Sequence, residues 1–240
     1  MAWANLQKPA AAAGATLGAF TLAQTFGSAL TNGSRIIVAV SCWIAAGNST
    51  CSGVADTVNT YTKDGSIIDA VSKVETSIFS APNTSSSALT VTATMTQSGS
   101  TCAICIMEFS GLSSTAGAGA LDGTGTASVN GATSITTTSA TTHAANELAV
   151  CAMTGNGDNR TFTKDATYTA AQNNSPDGNA DIGTEYKDTG ASGSAITGAW
   201  TISAGSGHND AVLVIYKLPT LTVGRPPRNV SQAVNRAATY

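Results

Sequence analysis

Charged side chains are scarce in this sequence. They make up 10% of its 240 residues, against about 25% in an ordinary soluble chain. Ser, Thr, Ala, Gly and Asn take their place, so the expected surface is polar and nearly uncharged. Disorder does not follow, because a disordered chain is also poor in apolar residues and this one is 42% hydrophobic. Long apolar runs are missing too. No window approaches the roughly 20 apolar residues of a spanning helix, and the Ala/Gly-rich stretch at 10–23 is broken by Thr and Gln. Met1–Pro9 lacks a charged stretch followed by an apolar core, so no secretory leader is expected there, and folding in a cytoplasm is. Helical spacing is absent as well: no useful length of chain places apolar residues at i, i+3, i+4 and i+7.

The residue types that carry catalysis are few. His143 and His208 are the only histidines. A Ser-His-Asp site needs one of them beside an activated Ser, and no Gly-x-Ser-x-Gly elbow is present. Gly205–Asp210 contains a candidate base in His208, but it precedes an apolar strand, where polar loop residues are expected. Glu108, Glu147 and Glu185 are candidates for a two-carboxylate glycosidase, with no spacing that pairs them. Asp158, Asp165, Asp177 and Asp181 lie in Gly/Asn-rich stretches without a D-x-D-x-D-G loop, so solvated loop carboxylates are preferred to a calcium site. Gly155-Asn156-Gly157 and Gly117-Ala118-Gly119 have no Lys-Ser/Thr follow-up and do not read as phosphate loops. The expectation is a protein that is not an enzyme, with no catalytic residue, cofactor or metal.

Five cysteines are an odd number, so at least one is free or pairs between chains. Cys102 and Cys105 form a CxxC, yet period-two alternation along a strand sets them on opposite faces, poor geometry for one zinc. Buried thiols are the preferred reading, with a bridge from Cys42 or Cys51 to a neighbouring strand as the alternative. Aromatics are sparse, with three Trp and five Tyr. Trp43 and Trp200 lie in or beside strands and read as core anchors. Exposure of Trp200 or Tyr186 beside a groove would instead favour sugar stacking.

What is present is a segregation of charge. Seven basic residues face all fourteen acidic ones up to Asp210, a balance of −7. The remaining four basic residues, Lys217, Arg225, Arg228 and Arg236, have no acid among them, a balance of +4. Such an acidic body repels a phosphate backbone, and the basic residues are too spread out for nucleic-acid binding. A folded body with a tail that docks elsewhere fits better. Arg225, Pro226, Pro227, Arg228 and Arg236 are the candidate docking residues: the guanidinium groups fork onto acceptors and the Pro pair keeps the arm extended.

Short β-branched segments bounded by turn residues read as strands. The clearest are Arg35–Trp43, Ala88–Met95, Thr101–Phe109, Glu147–Met153 and Ala211–Leu218. Weaker ones are Thr16–Thr25, Gly53–Thr57, Thr60–Lys63, Val74–Ser80, Thr133–Ser139, Thr161–Thr169, Asp181–Lys187 and Ala195–Ser203. Residues 113–132 are the best linker candidate on composition. No domain split is placed there, because each half offers too few strands for its own sandwich. The fold class is all-β: a single jelly-roll-like β-sandwich of antiparallel strands over residues 15–219, between an N-terminal segment 1–14 and an extended basic arm 220–240. Glu108 ends an apolar strand before Ser110-Gly111 and is placed to accept turn N–H groups. Asp56 and Asn59 bracket a turn their side chains can bond.

Four stretches, in this order, resemble a jelly-roll-like β-sandwich domain of bacteriophage virion proteins and some bacterial surface proteins. They are Asp56-Thr57-Val58-Asn59-Thr60-Tyr61-Thr62, Glu108-Phe109-Ser110-Gly111-Leu112, Asn146-Glu147-Leu148 and Val214-Ile215-Tyr216-Lys217-Leu218-Pro219. The likeness spans about residues 15–219 and departs at Val58, where the family has Gly. It implies a structural virion protein, an exterior capsid decoration or tail-associated protein, held on neighbouring capsid or tail subunits by its terminal segments. A homo-oligomer, in particular a trimer, fits such a role. No membrane or nucleic-acid partner is implied. The alternative is a carbohydrate-binding or adhesin module on a fibre or cell surface, with a surface glycan as partner.

Overall fold

The computed structural model describes residues 2–10, 12–14, 20–44, 47, 49–69, 71, 74–156, 160–174, 180–203 and 207–220, without the side chains of 12–14 and 173–174. Strands fill the first half as β1 (Ala4–Gln7), β2 (Ala12–Gly14), β3 (Thr21–Thr25), β4 (Arg35–Trp43) and β5 (Cys51–Ala55). They continue as β6 (Thr62–Asp69), β7 (Val74–Pro82), β8 (Thr90–Met95) and β9 (Thr101–Ser110). A 3₁₀ turn at Gly117–Ala120 opens the second half. There follow β10 (Leu121–Asn130), β11 (Ser134–Thr136), β12 (Ala140–Thr141), β13 (Leu148–Gly155) and β14 (Phe162–Lys164). The last are β15 (Thr169–Asn174), β16 (Asp181–Asp188), β17 (Ala195–Ile196), β18 (Ala199–Ile202) and β19 (His208–Tyr216). Every strand pairing among the described residues is antiparallel, and the chain is all-β.

The two halves have the same strand order. The first builds a sheet β1-β9-β4-β7-β6, with β2 also on β9, and a smaller sheet β3-β8-β5. The second builds β10-β19-β13-β16-β15 and the smaller β11-β18-β14 and β12-β17. In each, the first strand pairs with the last and the pairing nests inward from there. The correspondence extends to irregularities. Aligning Arg35↔Phe109 on Leu148↔Tyr216 superposes two bulges. Leu6 in β1 matches Asp122 in β10, and Asp64 in β6 matches Ala171 in β15.

These sheets stack in four layers, which explains the composition of the strong strands. In β4, Ile36, Val38 and Val40 face β3-β8-β5, while Ile37 and Ala39 face the second half. In β19, Val212, Val214 and Tyr216 face the first half, and Ala211, Leu213 and Ile215 face the outer sheets of the second. A sheet buried on both faces needs apolar residues at every position rather than at alternate ones, and residues 36–40, 102–107, 148–153 and 211–216 of β4, β9, β13 and β19 meet that need. The seam between halves is close: a Cβ on Gly65 would fall 2.9 Å from Val212.

Where the sequence leads to a single two-sheet sandwich, four layers are found. Segments that look too weak for a second sandwich, Thr133–Ser139 and Ala195–Ser203, supply its outer sheets. Part of the segment 1–14 pairs with β9. Much of the composition-based linker 113–132 is β10. Its glycines reflect close approach rather than a flexible tether, since a Cβ on Gly125 would lie 2.1 Å from the Thr138 carbonyl oxygen. Residues 221–240, with Arg225, Pro226, Pro227, Arg228 and Arg236, lie outside the described residues.

Candidate functional site

The bulge at Asp122 re-aims its side chain, bringing it under the turn that leads into β13. There the turn closes through Asn146, whose φ of 61° is the left-handed conformation Asn tolerates, and Glu147 follows. His143 wraps the same carboxylate: its backbone N–H donates to Asp122 Oδ2 at 2.6 Å and its ring Nδ1 lies 2.9 Å from Oδ1. The imidazole is 78% exposed, whereas the Asp122 side chain is 3% exposed. Lys217, Leu218, Pro219 and Thr220, leaving β19, complete the wall of a cavity of about 260 Å³.

Glu147 is buried, and its Oε2 has no hydrogen-bond partner among the described residues. Burial, followed by the hydrogen bond and charge of Asp122, pushes it up to about 8. Burial also acts upward on Asp122, but hydrogen bonds from Glu147 and from the His143 backbone and ring outweigh it and hold that carboxyl below its ordinary value. With these neighbours alone, Glu147 keeps its proton at neutral pH beside the ionised Asp122, and the pair is ready to share that proton or to give it up on receiving a cation.

The first half shows the same place filled. Glu108 on β9 carries the buried carboxylate there, accepting from Thr31 N–H at 2.6 Å, Ser34 Oγ at 2.7 Å and Gln7 Nε2 at 2.7 Å. Ser34 aligns with Glu147, so an acid replaces a donor in the second half. The first carboxylate is satisfied within the chain; in the second pair Glu147 Oε2 is left without a partner among the described residues.

Glu108 accepts a turn N–H from Thr31, between β3 and β4, rather than from the Ser110-Gly111 turn that follows it. Ser110 pairs with Ala4, and Gly111 at φ 73° sits where a Cβ would meet Ala2 O at 2.6 Å. Asp56 accepts from Val58 N–H, Asn59 N–H, Asn59 Nδ2 and Tyr61 Oη at 2.6–2.9 Å, and Asn59 Oδ1 accepts from Thr84 N–H at 3.0 Å. These are turn-fixing contacts. Cys102 and Cys105 fall in different core layers, and all five thiols are free and buried.

The candidates for chemistry are dispersed. His208 bonds through Nδ1 to Asp69 of the first half, and Asp210, beside it, is pushed to about 6 by burial and then by the Asp69 charge. Glu185 on β16 is buried, and its Oε2 accepts Asp165 N–H at 3.2 Å. Asp165 bonds Thr167 in its own turn. Asp181, read as a loop carboxylate, is instead buried in β16 and accepts from Arg160 N–H. Asp158 and Asp177 lie outside the described residues. Trp200 is 2% exposed and Tyr186 9%, Tyr186 packing edge-on to Trp3 and Phe109. Among the described residues no cluster of three His, Cys, Asp or Glu side chains is placed to hold a metal ion. No local spacing announces the Asp122–Glu147–His143 group, since sheet register and a bulge assemble it.

Compared with known proteins, the chain matches no protein family, no curated protein and no solved structure.

Proposed function

We propose that this chain is a structural protein of a bacteriophage virion, an exterior capsid decoration or tail-associated protein held on neighbouring subunits by its terminal segments. The observation that carries the reading is the nested strand order found in both halves. We read this nesting, first strand paired with last, as the winding of a jelly roll, and in the larger sheet of each half the order repeats in register through two bulges. Two such units, joined by a seam with an apolar centre and polar cross-links such as Tyr216–Asp64 and His208–Asp69, make a rigid block suited to assembly. Four short motifs of the family resemblance support it, and the basic residues beyond Lys217 supply an attachment for an acidic subunit surface.

A carbohydrate-binding or adhesin module draws less support. Sugar stacking needs an exposed aromatic face, and Trp200 and Tyr186 spend theirs on the core. Fold alone never fixes function, so the reading is tested on particles. Virions purified from the native source by density gradient are probed for the chain, and the full-length protein is compared with Arg225→Glu/Arg228→Glu/Arg236→Glu for rebinding to depleted particles. Co-sedimentation at fixed stoichiometry, lost on charge reversal, is expected. A chain that stays in the soluble fraction overturns the reading.

A further inference from the structure

We propose that the Asp122–Glu147 cavity is the stowage site for the chain's own basic arm, with the guanidinium of Arg225 or Arg228 seated against the two carboxylates. Glu147 lines the cavity at 1% exposure with Oε2 unpartnered among the described residues. A buried acceptor left open is costly, and in the first half Glu108, the carboxylate bonded to the residue aligned with Glu147, has its donors supplied by the chain. In the second half Glu147 bonds Asp122 and the Ala144 backbone, and Oε2 alone is left open to a donor from elsewhere.

Charge selects what that donor is. With both carboxylates ionised, Asp122, Glu147 and Lys217 carry a net −1, and His143 bonds Asp122 from the loop above with its ring in solvent. One added cation balances the site. A guanidinium supplies a planar fork of donors suited to carboxylate oxygens.

Tethering selects which cation. Thr220 forms part of the wall, and Arg225 follows five residues later, within about 17 Å of extended chain. Residues 221–240 contain three Arg and no acid. A tether this short presents the group at an effective concentration on the order of millimolar, which favours the chain's own arm over that of a second copy. The arm is thereby parked on its own body until an assembly surface competes for it. This inference does not depend on the assembly being a virion.

Two readouts on the full chain test it. The first is a ¹³C NMR titration of the Glu147 carboxyl, assigned with Glu147→Gln. In the wild type the seated guanidinium keeps it in the ordinary carboxylate range; in Arg225→Ala/Arg228→Ala it climbs toward about 8. Identical titrations overturn the proposal. The second is tryptic cleavage after Arg228. Glu147→Gln keeps the shape of the protonated acid and removes its charge, and it should expose that bond to cleavage roughly tenfold faster, as expected for losing one charge-assisted hydrogen bond. Equal rates count against stowage, and protection that grows with protein concentration assigns the cavity to a second copy's arm instead.

Discussion

Tyr216 Oη donates to Asp64 Oδ2 at 2.7 Å, tying the last strand of the second half to β6 of the first. Arg35 lies over the Tyr216 ring, 5.7 Å from its centroid, and donates to Ser80 Oγ and the Ser113 and Thr115 carbonyls. One buried cluster thereby holds β19, β6, β4 and the connection between halves. Asp64 sits on a bulge that turns it into the seam, and burial raises its carboxyl despite hydrogen bonds from Ser80 and Tyr216 and the charge of Arg35.

Tyr216→Phe removes the donor and leaves the packing. The cost should be about 1–3 kcal/mol, the penalty for stranding a buried polar group, read as a lower midpoint in urea with unchanged slope. A midpoint equal to wild type would mean that the phenol is not what holds the seam.

Glu185 gives the fold a definite pH dependence. Burial raises it from 4.5 to about 8. An acid raised in the folded state binds its proton more tightly there than in the unfolded chain. Its contribution is fully present below about pH 4.5 and is lost as pH rises through about 8. Asp210, raised to about 6, acts in the same direction over a lower window. Unfolding midpoints should therefore fall between pH 5 and 9, and Glu185→Gln should flatten the upper part of that fall. A wild-type midpoint that rises over this range would contradict the assignment.

Much of the β framework was legible because double burial leaves an unbroken apolar run. Arg35–Trp43 and Thr101–Phe109 could be placed from sequence to within a residue or so. β10 was not legible. Its Gly123 and Gly125 mimic a linker, and only the approach of Ala140 and Thr138 explains them. The likeness between the halves was hidden for a related reason. Aligned positions carry unlike side chains, Arg35 against Leu148 and Glu108 against Ile215, so the halves match in backbone register and not in side-chain identity. The Asp122–Glu147 pair lies beyond periodicity altogether: a cross-strand alignment and a bulge bring residues 25 apart in the chain together.

Gly111 should tolerate no side chain. Its φ of 73° and the 2.6 Å approach of Ala2 O to any Cβ are separate penalties. Gly111→Ala should cost about 2 kcal/mol or more and peel β1 from β9. Amide exchange in Ala4–Gln7 should then quicken far more than in β13, which lies in the other half. Uniform quickening would place the damage elsewhere.

The five thiols should be inert in the folded protein. All are buried, and burial pushes Cys51 and Cys105 up to about 12, leaving almost no nucleophilic thiolate near neutral pH. A disulfide reagent should find no reactive thiol before denaturation and five after it. Fast modification of Cys102 and Cys105 together would revive the CxxC as a redox pair.

Val58 is where the sequence departs from the family's Gly, and the geometry predicts the outcome of restoring it. Asn146 is the one described non-glycine residue with positive φ, so Val58 already has a backbone that any residue adopts. Its side chain is 49% exposed, and the turn is set by its N–H on Asp56 Oδ1 at 2.7 Å. Val58→Gly gains nothing in the folded state and loosens the unfolded one, so it should destabilise by about 0.5–1 kcal/mol. Asp56→Ala, which removes the acceptor shared by four donors, should cost more, about 2 kcal/mol or above. If Val58→Gly raised the melting temperature instead, the turn would be strained at that residue and the Asp56 network would be holding it there.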